Sequence, residues 1–379
     1  MVRKLSRRRV LSGGGIALAV SALAACGGSA PEASPTLPVA TLPAAAPTAT
    51  TVPPTMAAAG AATAASPTSE VQAPTAVLPT VPPAPATAPA ANTAAPTSAP
   101  EPTASAAAGP AYLAAVHGAS PAAITEAAIQ AIGGIERFVK QGDDVIVKPN
   151  MCVSYYGPEY AATTNPEVVA TIVKLCKAAG AKRVRAMDFP WGGRAEDAYK
   201  TSGIQAAVEA AGGEMELMAH AKYKEVDFPP ESRDIRHWLV YEDAVKADVI
   251  INVPIAKHHG SSVLTLGCKN LMGLIEQRNL IHVNLHQRIA DLVTLFKPKL
   301  TVVDAVRILV ANGPSGGDLN DVKKMDTVIA SHDIVAADAY AVRFFPFADI
   351  EKVAYIKLAG DMGLGTYDLA SVDVRELSI

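Results

Sequence analysis

The run Val249–Val253 constrains the fold of this chain more than any other segment. It is short and largely apolar, and Lys246-Ala247-Asp248 precedes it. Runs of this kind are typical of strands buried on both faces of a parallel sheet. Polar residues crowd into the twenty or so positions after it, at the carboxyl end where open α/β sheets bind ligands. We therefore expect a site at the end of this strand.

Strand and helix patterns alternate over residues 110–379. Strands are predicted at residues 112–116, 144–148, 183–188, 214–218, 249–253, 300–304 and 325–330. Helices are predicted at residues 120–139, 165–180, 195–211, 262–274, 281–296, 333–344 and 350–359. This alternation predicts an α/β fold with a mostly parallel, doubly wound, Rossmann-like sheet.

Residues 1–26 are predicted to be an export signal. Residues 6–11, Ser-Arg-Arg-Arg-Val-Leu, match the twin-arginine pattern, and the apolar segment 16–25 is too short to span a bilayer. Leu-Ala-Ala-Cys at 23–26 is typical of a lipoprotein cleavage site that leaves Cys26 lipidated. The predicted partners are thus the twin-arginine export machinery and a membrane, through a lipid anchor in the cell envelope. The alternative is an ordinary signal peptide that is cut nearby.

Residues 27–109 consist mainly of Pro, Ala, Thr and Ser, with Glu32, Glu70 and Glu101 as their charges. Such a segment is predicted to be a disordered tether. The following domain, 110–379, contains 28 of the chain's 33 basic residues (Lys and Arg) and 33 of its 36 acidic residues (Asp and Glu). This mildly acidic balance, without a basic run, excludes nucleic-acid binding.

Polar residues follow four of the predicted strands. They are Lys148 and Asn150, Asp188, the segment Lys257-His258-His259, and Asp304. Because the carboxyl ends of parallel strands share one edge, these residues are expected to converge. Alternatively, Asp188 and Asp304 cap the turns that follow them.

Lysines and asparagines are frequent in this set. Lys148, Lys257 and Lys269, with Asn150 and Asn270, favour a small anionic ligand that carries a carboxylate or phosphate. The alternative is a solvated face with ordinary ion pairs.

Two histidines indicate a metal site. His282 and His286 are four residues apart, so they are expected on one face of the helix predicted at 281–296. With Cys268 or another nearby side chain they could hold nickel, zinc or iron. Alternatively, both are hydrogen-bonded at a packed helix start.

The cysteines leave several interpretations open. Cys152 and Cys268 could form a disulfide, bind a metal or be buried thiols, whereas Cys176 has the spacing of a core residue. The chain contains no Cys-x-x-Cys, so an internal iron–sulfur cluster is not expected.

The domain resembles domain-of-unknown-function family 362. The resemblance covers residues 111–379 and includes Val-Lys-Pro-Asn at 147–150, Thr-Asn-Pro at 164–166, Lys-Asn-Leu-Met-Gly at 269–273 and Asn-Gly-Pro at 312–314. Some members of that family carry a ferredoxin-like module, for which this chain lacks the cysteines.

A fainter resemblance is to the cofactor region of nickel-pincer lactate racemases. It implies a catalytic histidine at His259, a cofactor-bearing lysine at Lys269 and a nickel ligand at His282 or His286. The chain departs from that pattern at Thr265-Leu266-Gly267-Cys268, where the racemases are rich in glycine, and at Asn270.

Two functions fit these residues. In the first, an exported enzyme acts on a small anion with a metal or a tethered cofactor. Lys148, Lys257 and Lys269 hold or activate the anion, and His258, His259, His282 or His286 moves protons or binds the metal. In the second, a lipid-anchored protein binds the anion without chemistry, or serves as a scaffold of the envelope.

Overall fold

The computed structural model describes residues 109–379. The predicted signal peptide with Cys26, and the predicted tether up to residue 108, lie outside these residues. No helix of residues 109–379 is long and apolar enough to cross a membrane.

The described chain contains twelve strands and ten α-helices. The strands are β1 (Leu113–His117), β2 (Asp144–Pro149), β3 (Arg183–Ala186), β4 (Glu214–Met215), β5 (Tyr223–Asp227), β6 (His237–Tyr241), β7 (Val249–Val253), β8 (Ile255–His259), β9 (Val263–Thr265), β10 (Leu300–Leu309), β11 (Val322–Ser331) and β12 (Val374–Ser378). The helices are α1 (Pro121–Ala131), α2 (Pro166–Ala178), α3 (Ala195–Thr201), α4 (Ile204–Ala210), α5 (Glu242–Lys246), α6 (Gly267–Asn270), α7 (Arg278–Ile281), α8 (Leu285–Phe296), α9 (Ile334–Val342) and α10 (Ala354–Asp361).

The main sheet has the order β12-β1-β11-β10-β7-β2-β3-β4, with β8 and β9 joined to β10. Strands β10, β7, β2, β3 and β4 are parallel, and β11 is antiparallel to both of its neighbours. After β2 the chain adds β3 and β4 on one side, then returns to add β7 on the other. Such a reversal leaves a crevice at the carboxyl ends of the two central strands, β2 and β7.

Helices cover both faces of the sheet. Alternate residues of β2 point to opposite sides: Val145 and Val147 join a core with α1, α2 and α4, and Ile146 joins a core with α8, α9 and α10. This arrangement confirms the predicted α/β class with its mostly parallel sheet.

Glycines end helices earlier than predicted. The predicted helix 195–211 is two helices because Gly203 has a left-handed φ of 72° between α3 and α4. Helix α1 stops at Ala131 because Gly133 and Gly134 also have positive φ. Glycine adopts this conformation without a Cβ clash.

The predicted helix 262–274 is wrong over its first half. Residues 263–265 form β9, which pairs antiparallel with β8, and His259 lies opposite Val263. Helix α6 and a 3₁₀ turn, Leu271–Leu274, follow. Residues Ile255–His259, for which no helix or strand was predicted, therefore form a strand, β8, with alternating side chains.

Candidate functional site

A cavity of about 760 Å³ opens at the carboxyl ends of β2 and β7, where the strand order reverses. It is lined by Lys148, Asn150, Cys152, Asp188, Phe189, Trp191, His220, Lys257, His259, Gly260, Ser261, Thr265, Lys269, Asn270, Met272, Gly273, Ile275, Glu276, Gln277, Arg278, Asn279, His282, Gly313 and Pro314.

Lys148 is the fixed centre of this site. It is buried at the end of β2, and its Nζ donates to Asp188 Oδ1 at 2.7 Å and to Asn270 Oδ1 at 2.9 Å. Asp188 follows β3, and its other oxygen accepts from the Met151 N–H at 2.7 Å. Burial lowers the pKa of Lys148, and the charge of Asp188 opposes that effect. The lysine and the carboxylate therefore balance each other.

Lys257 is held by uncharged oxygens. Its Nζ donates to Asn150 Oδ1 at 3.0 Å and to the carbonyls of Ala162 at 2.6 Å and Pro314 at 2.9 Å. Asn150 in turn donates to Asn270 Oδ1 at 3.0 Å, which links Lys257 to the Lys148 network. Burial lowers the pKa of Lys257, and Cys152 and the more distant charge of Asp188 oppose this effect only in part.

Lys269 has the least support of the three lysines. It is 9% exposed, and its Nζ contacts the Met272 sulfur at 3.5 Å. Burial, and next the charge of Lys257, lower the pKa of Lys269 to about 7. This amine is therefore about half unprotonated at neutral pH.

Asp338 positions the helix that carries Lys269. Its carboxylate, buried on α9, accepts from the N–H groups of Gly267 at 2.6 Å and Cys268 at 2.8 Å, at the start of α6. Burial raises the pKa of Asp338 to about 7. Asp338 is not among the residues predicted for the site, although a lone aspartate in the apolar segment Ile334–Val342 is a usable signal.

The two adjacent histidines separate, because side chains alternate along β8. Lys257 and His259 line the cavity, and His258 does not. The Nδ1 of His259 accepts from the Ser261 N–H at 3.0 Å, which leaves the proton on Nε2. Burial, then the charge of Lys269, lower the pKa of His259 to about 3. His259 is thus a neutral hydrogen-bond donor at physiological pH.

His258 is held on the other side of β8. Its Nδ1 accepts from the Gly313 N–H at 3.0 Å. Its ring lies edge-on to Phe347, with 5.8 Å between the ring centroids.

The expectation that His282 and His286 share a helix face is wrong. His282 lies in a 3₁₀ turn, and Asn284, with φ −142°, interrupts the helical conformation before α8 begins. His282 is exposed and lines the cavity, whereas His286 stacks on Tyr355 with 6.1 Å between the ring centroids. Within residues 109–379 no group of three or more His, Cys, Asp or Glu side chains could hold a metal ion.

Asp304 lies away from the cavity. Its carboxylate accepts from the Asn165 N–H at 2.7 Å and from the Val306 N–H at 2.9 Å. Burial raises its pKa to about 6. It lies within β10, which continues to Leu309, so it does not cap a turn after its strand as the alternative interpretation had it.

The three cysteines of the described chain are free and buried. Cys152 lines the cavity, and its thiol lies 3.6 Å from the carbonyl oxygen of Pro314. Cys268 packs beside Asp338 on α6, and Cys176 belongs to the core below α2.

One feature of the cavity is not indicated by the sequence. His220 Nδ1 lies 2.5 Å from Glu276 Oε1, a histidine–carboxylate pair. Both residues come from segments without regular periodicity, so no sequence signal marks them. Arg278 also lines the cavity and donates to the carbonyls of Phe189 at 2.9 Å and Pro190 at 2.8 Å.

The cavity carries excess positive charge. Asp188 balances Lys148, and Glu276 lies beside His220. Lys257, Lys269 and Arg278 form no ion pair with a carboxylate in the part of the chain that the structure describes. The arrangement can therefore accept an anion.

Two solved structures align with part of this chain. The lactate racemase apoprotein from Thermoanaerobacterium thermosaccharolyticum aligns with a TM-score of 0.37 and 13% identity, over 61% of this chain and 56% of that one. A protein from Thermotoga maritima aligns with a TM-score of 0.30 and 11% identity, over 64% of this chain and 59% of that one. Neither alignment assigns a role to a residue of this chain.

A curated relative and a family model match the sequence. A thylakoid-associated protein of Synechocystis sp. is 27% identical over 219 residues, which are 55% of this chain and 65% of the relative. The chain thus spans slightly less than two thirds of that relative's length. The model of the domain of unknown function DUF362 matches residues 145–343, more than half of the chain, and the protein belongs to this family.

Proposed function

We propose that the cavity binds a small organic anion, a carboxylate or a phosphate, and that the domain is an enzyme that acts on it. One observation carries this proposal: Lys257, Lys269 and Arg278 line one cavity without a carboxylate partner in the described chain. Buried cations need a counter-charge, and a bound anion would supply it. Charge-assisted hydrogen bonds from Arg278, two of whose five N–H groups are donated to protein carbonyls, would also orient the anion.

Histidines of the cavity support an acid–base role. His220 is oriented by Glu276, as a carboxylate orients the histidine of many catalytic pairs. His282 is exposed at the cavity and forms no side-chain hydrogen bond within the described residues. His259 would donate its Nε2 hydrogen to an oxygen of the ligand. Together these groups could move a proton and stabilise developing negative charge.

Ligand binding is the first test. We expect acetate, pyruvate or inorganic phosphate to raise the melting temperature and to release heat in calorimetry, whereas acetamide does neither. Arg278→Met should weaken binding about tenfold or more, since a charge-assisted hydrogen bond contributes roughly 1.5–3 kcal/mol. Lys174→Met removes the same charge from the exposed face of α2 and should leave binding unchanged. Equal binding by both variants would contradict an anion site in the cavity.

A capture protein without catalysis is the second candidate. It is favoured by one observation: the Nδ1 atoms of His258 and His259 both accept backbone N–H groups, so both rings present a donor rather than a base. Alanine in place of His220 or His282 separates the two functions. Tight binding that survives both changes, together with an unaltered ligand after long incubation, would favour capture.

We further propose that the protein is exported through the twin-arginine machinery and anchored by lipid on Cys26. The sequence Leu-Ala-Ala-Cys at 23–26, after a basic and an apolar segment, supports this proposal. In a host that has this pathway, a labelled fatty acid should be incorporated into the wild type but not into Cys26→Ser. Lys in place of Arg7 and Arg8 should keep the precursor inside the cell. Equal labelling of wild type and Cys26→Ser would contradict the anchor.

A further inference from the structure

Lys269 is a buried amine with almost no polar support. Lys148 has a carboxylate and an amide, and Lys257 has three oxygen acceptors, but Lys269 contacts a thioether. A protonated amine in such surroundings is costly, whereas a neutral amine fits them well. The site therefore favours the neutral form of Lys269, which has a free electron pair, more than water does.

We propose that Lys269 is a nucleophile that condenses with the carbonyl carbon of a small oxo acid to form an imine. This inference rests on the proposed function, since it names the class of anion that the same cavity binds. Its geometric basis is the position of Lys269 in the lining, among cationic side chains and beside the Met272 sulfur. Desolvated lysines next to other cations are the activated amines of imine-forming enzymes.

The condensation is balanced without any other reactant. The nitrogen lone pair of Lys269 attacks the carbonyl carbon, and a carbon–nitrogen bond forms. The carbonyl oxygen then leaves as water with the two hydrogens of the amine, and a carbon–nitrogen double bond remains. No oxidation or reduction takes place.

Neighbouring groups fit the two ends of such a ligand. Arg278 would hold the carboxylate, because it lines the cavity, has no carboxylate partner in the described chain and keeps N–H donors beyond the two that bind the Phe189 and Pro190 carbonyls. The three N–H groups of Lys257 are already donated, so its charge would attract the carboxylate without a hydrogen bond. The Nε2 hydrogen of His259 could be donated to the carbonyl oxygen, which gains negative charge during the attack. Lys269 also has a pKa lowered to about 7, so its free amine is on the order of a thousand times more abundant at neutral pH than that of an exposed lysine.

Reductive trapping tests the proposal on the full protein. Wild type is incubated near neutral pH with pyruvate, glyoxylate or 2-oxoglutarate and sodium cyanoborohydride, then analysed by intact mass and peptide mapping. We expect one reduced adduct per chain, on Lys269. Lys269→Met should lose this adduct, whereas Lys174→Met, which changes an exposed lysine, should retain it. Urea unfolding of each variant is measured in parallel, and a cooperative transition shows that the variant folds.

The outcomes separate the two proposals. Acetate binding without an adduct from any of the three oxo acids would overturn the imine and leave the anion site standing. Failure of every anion to bind would overturn both. Adducts spread evenly over surface lysines, or present in Lys269→Met to the same extent, would also overturn the assignment of Lys269.

Discussion

Burial and neighbouring positive charges, among them Lys257 and Arg278, lower the pKa of Lys269 to about 7. Arg278→Gln removes one of these charges, so it should raise the pKa of Lys269. Competitive acetylation with a trace of acetic anhydride over a range of pH measures this pKa. The reactivity of Lys269 should rise through a midpoint of about 7 in the wild type and at higher pH in the variant. Exposed Lys174 provides the reference for reactivity. A midpoint for Lys269 near about 10.4, the pKa of a lysine in a model peptide, would contradict our account.

Gly273 is required by the ion pair of Lys148 and Asp188. A Cβ at this position would lie 1.9 Å from Asp188 Oδ1 and 2.6 Å from Lys148 Nζ. Gly273→Ala should therefore displace the pair, weaken anion binding at least about tenfold and lower stability by roughly 1–3 kcal/mol.

Gly260→Ala is the matched control for that change. Gly260 also lines the cavity, but a Cβ there meets no atom within 4 Å. The Gly260→Ala variant should retain anion binding and stability in the same calorimetric and urea-unfolding measurements. Similar losses in both variants would show that the Lys148–Asp188 contact is not the cause.

At this scale the sequence identified chemical types better than contacts. Lys148 and Lys257 are predicted at the ends of strands and Lys269 in the helix 262–274, and all three line the cavity. His258 and His259 were treated as equivalent, because the segment was not recognised as a strand. Period-two alternation along β8 separates them, and this could have been inferred once Gly260-Ser261-Ser262 was recognised as a hairpin turn.

The element that presents Lys269 is short and depends on an outside partner. Helix α6 spans Gly267–Asn270, and the Asp338 carboxylate accepts its first two N–H groups. Four residues cannot form a stable helix alone, because nucleation is unfavourable. Tertiary contacts, rather than helix propensity, thus fix the direction of the lysine.

Asp338→Asn tests this dependence. The amide has one oxygen acceptor, so one of the two N–H groups would face an NH₂ group and lose its partner. We expect a loss of about 1–3 kcal/mol in urea unfolding and slower acetylation or trapping of Lys269. Asp361→Asn, at the exposed end of α10, should cost at most about 0.5 kcal/mol. If Asp338→Asn unfolds like the wild type, the carboxylate does not hold α6.

Element prediction succeeded where a pattern was long and regular. Strand β7 lies where the apolar run placed it, and Asn165 caps α2, in which Pro166 is the first residue, as expected. It failed at residues 262–274, because Val263, Leu264 and Leu266 fit both a helix face and a strand. Pairing with β8 decided between them, and no local pattern carries that information.

The order of strands places the site in the whole molecule. The return of the chain from β4 to β7, across β2, puts Lys148, Asp188 and Lys257 at one crevice, although they span more than a hundred residues. Alternating elements predicted a parallel sheet, and the polar strand ends predicted convergence. The antiparallel insertion of β11 between β1 and β10 depends on contacts distant in sequence, so it could not be inferred from local patterns.

The free energy of unfolding of the whole domain should depend on pH through the buried amine of Lys269. Its pKa is about 7 in the folded state and about 10.4 in the unfolded chain, so the unfolded chain binds more protons between these values. Stability therefore rises with pH in this window, and the cost of the buried charge is largest below about pH 7.

Lys269→Met removes this dependence. It should be more stable than wild type at about pH 6, and this advantage should shrink by on the order of 2 kcal/mol towards about pH 9. Urea unfolding across this range measures the difference. Lys174→Met should run parallel to the wild type, and a parallel curve for Lys269→Met would show that Lys269 keeps an ordinary pKa in the folded protein.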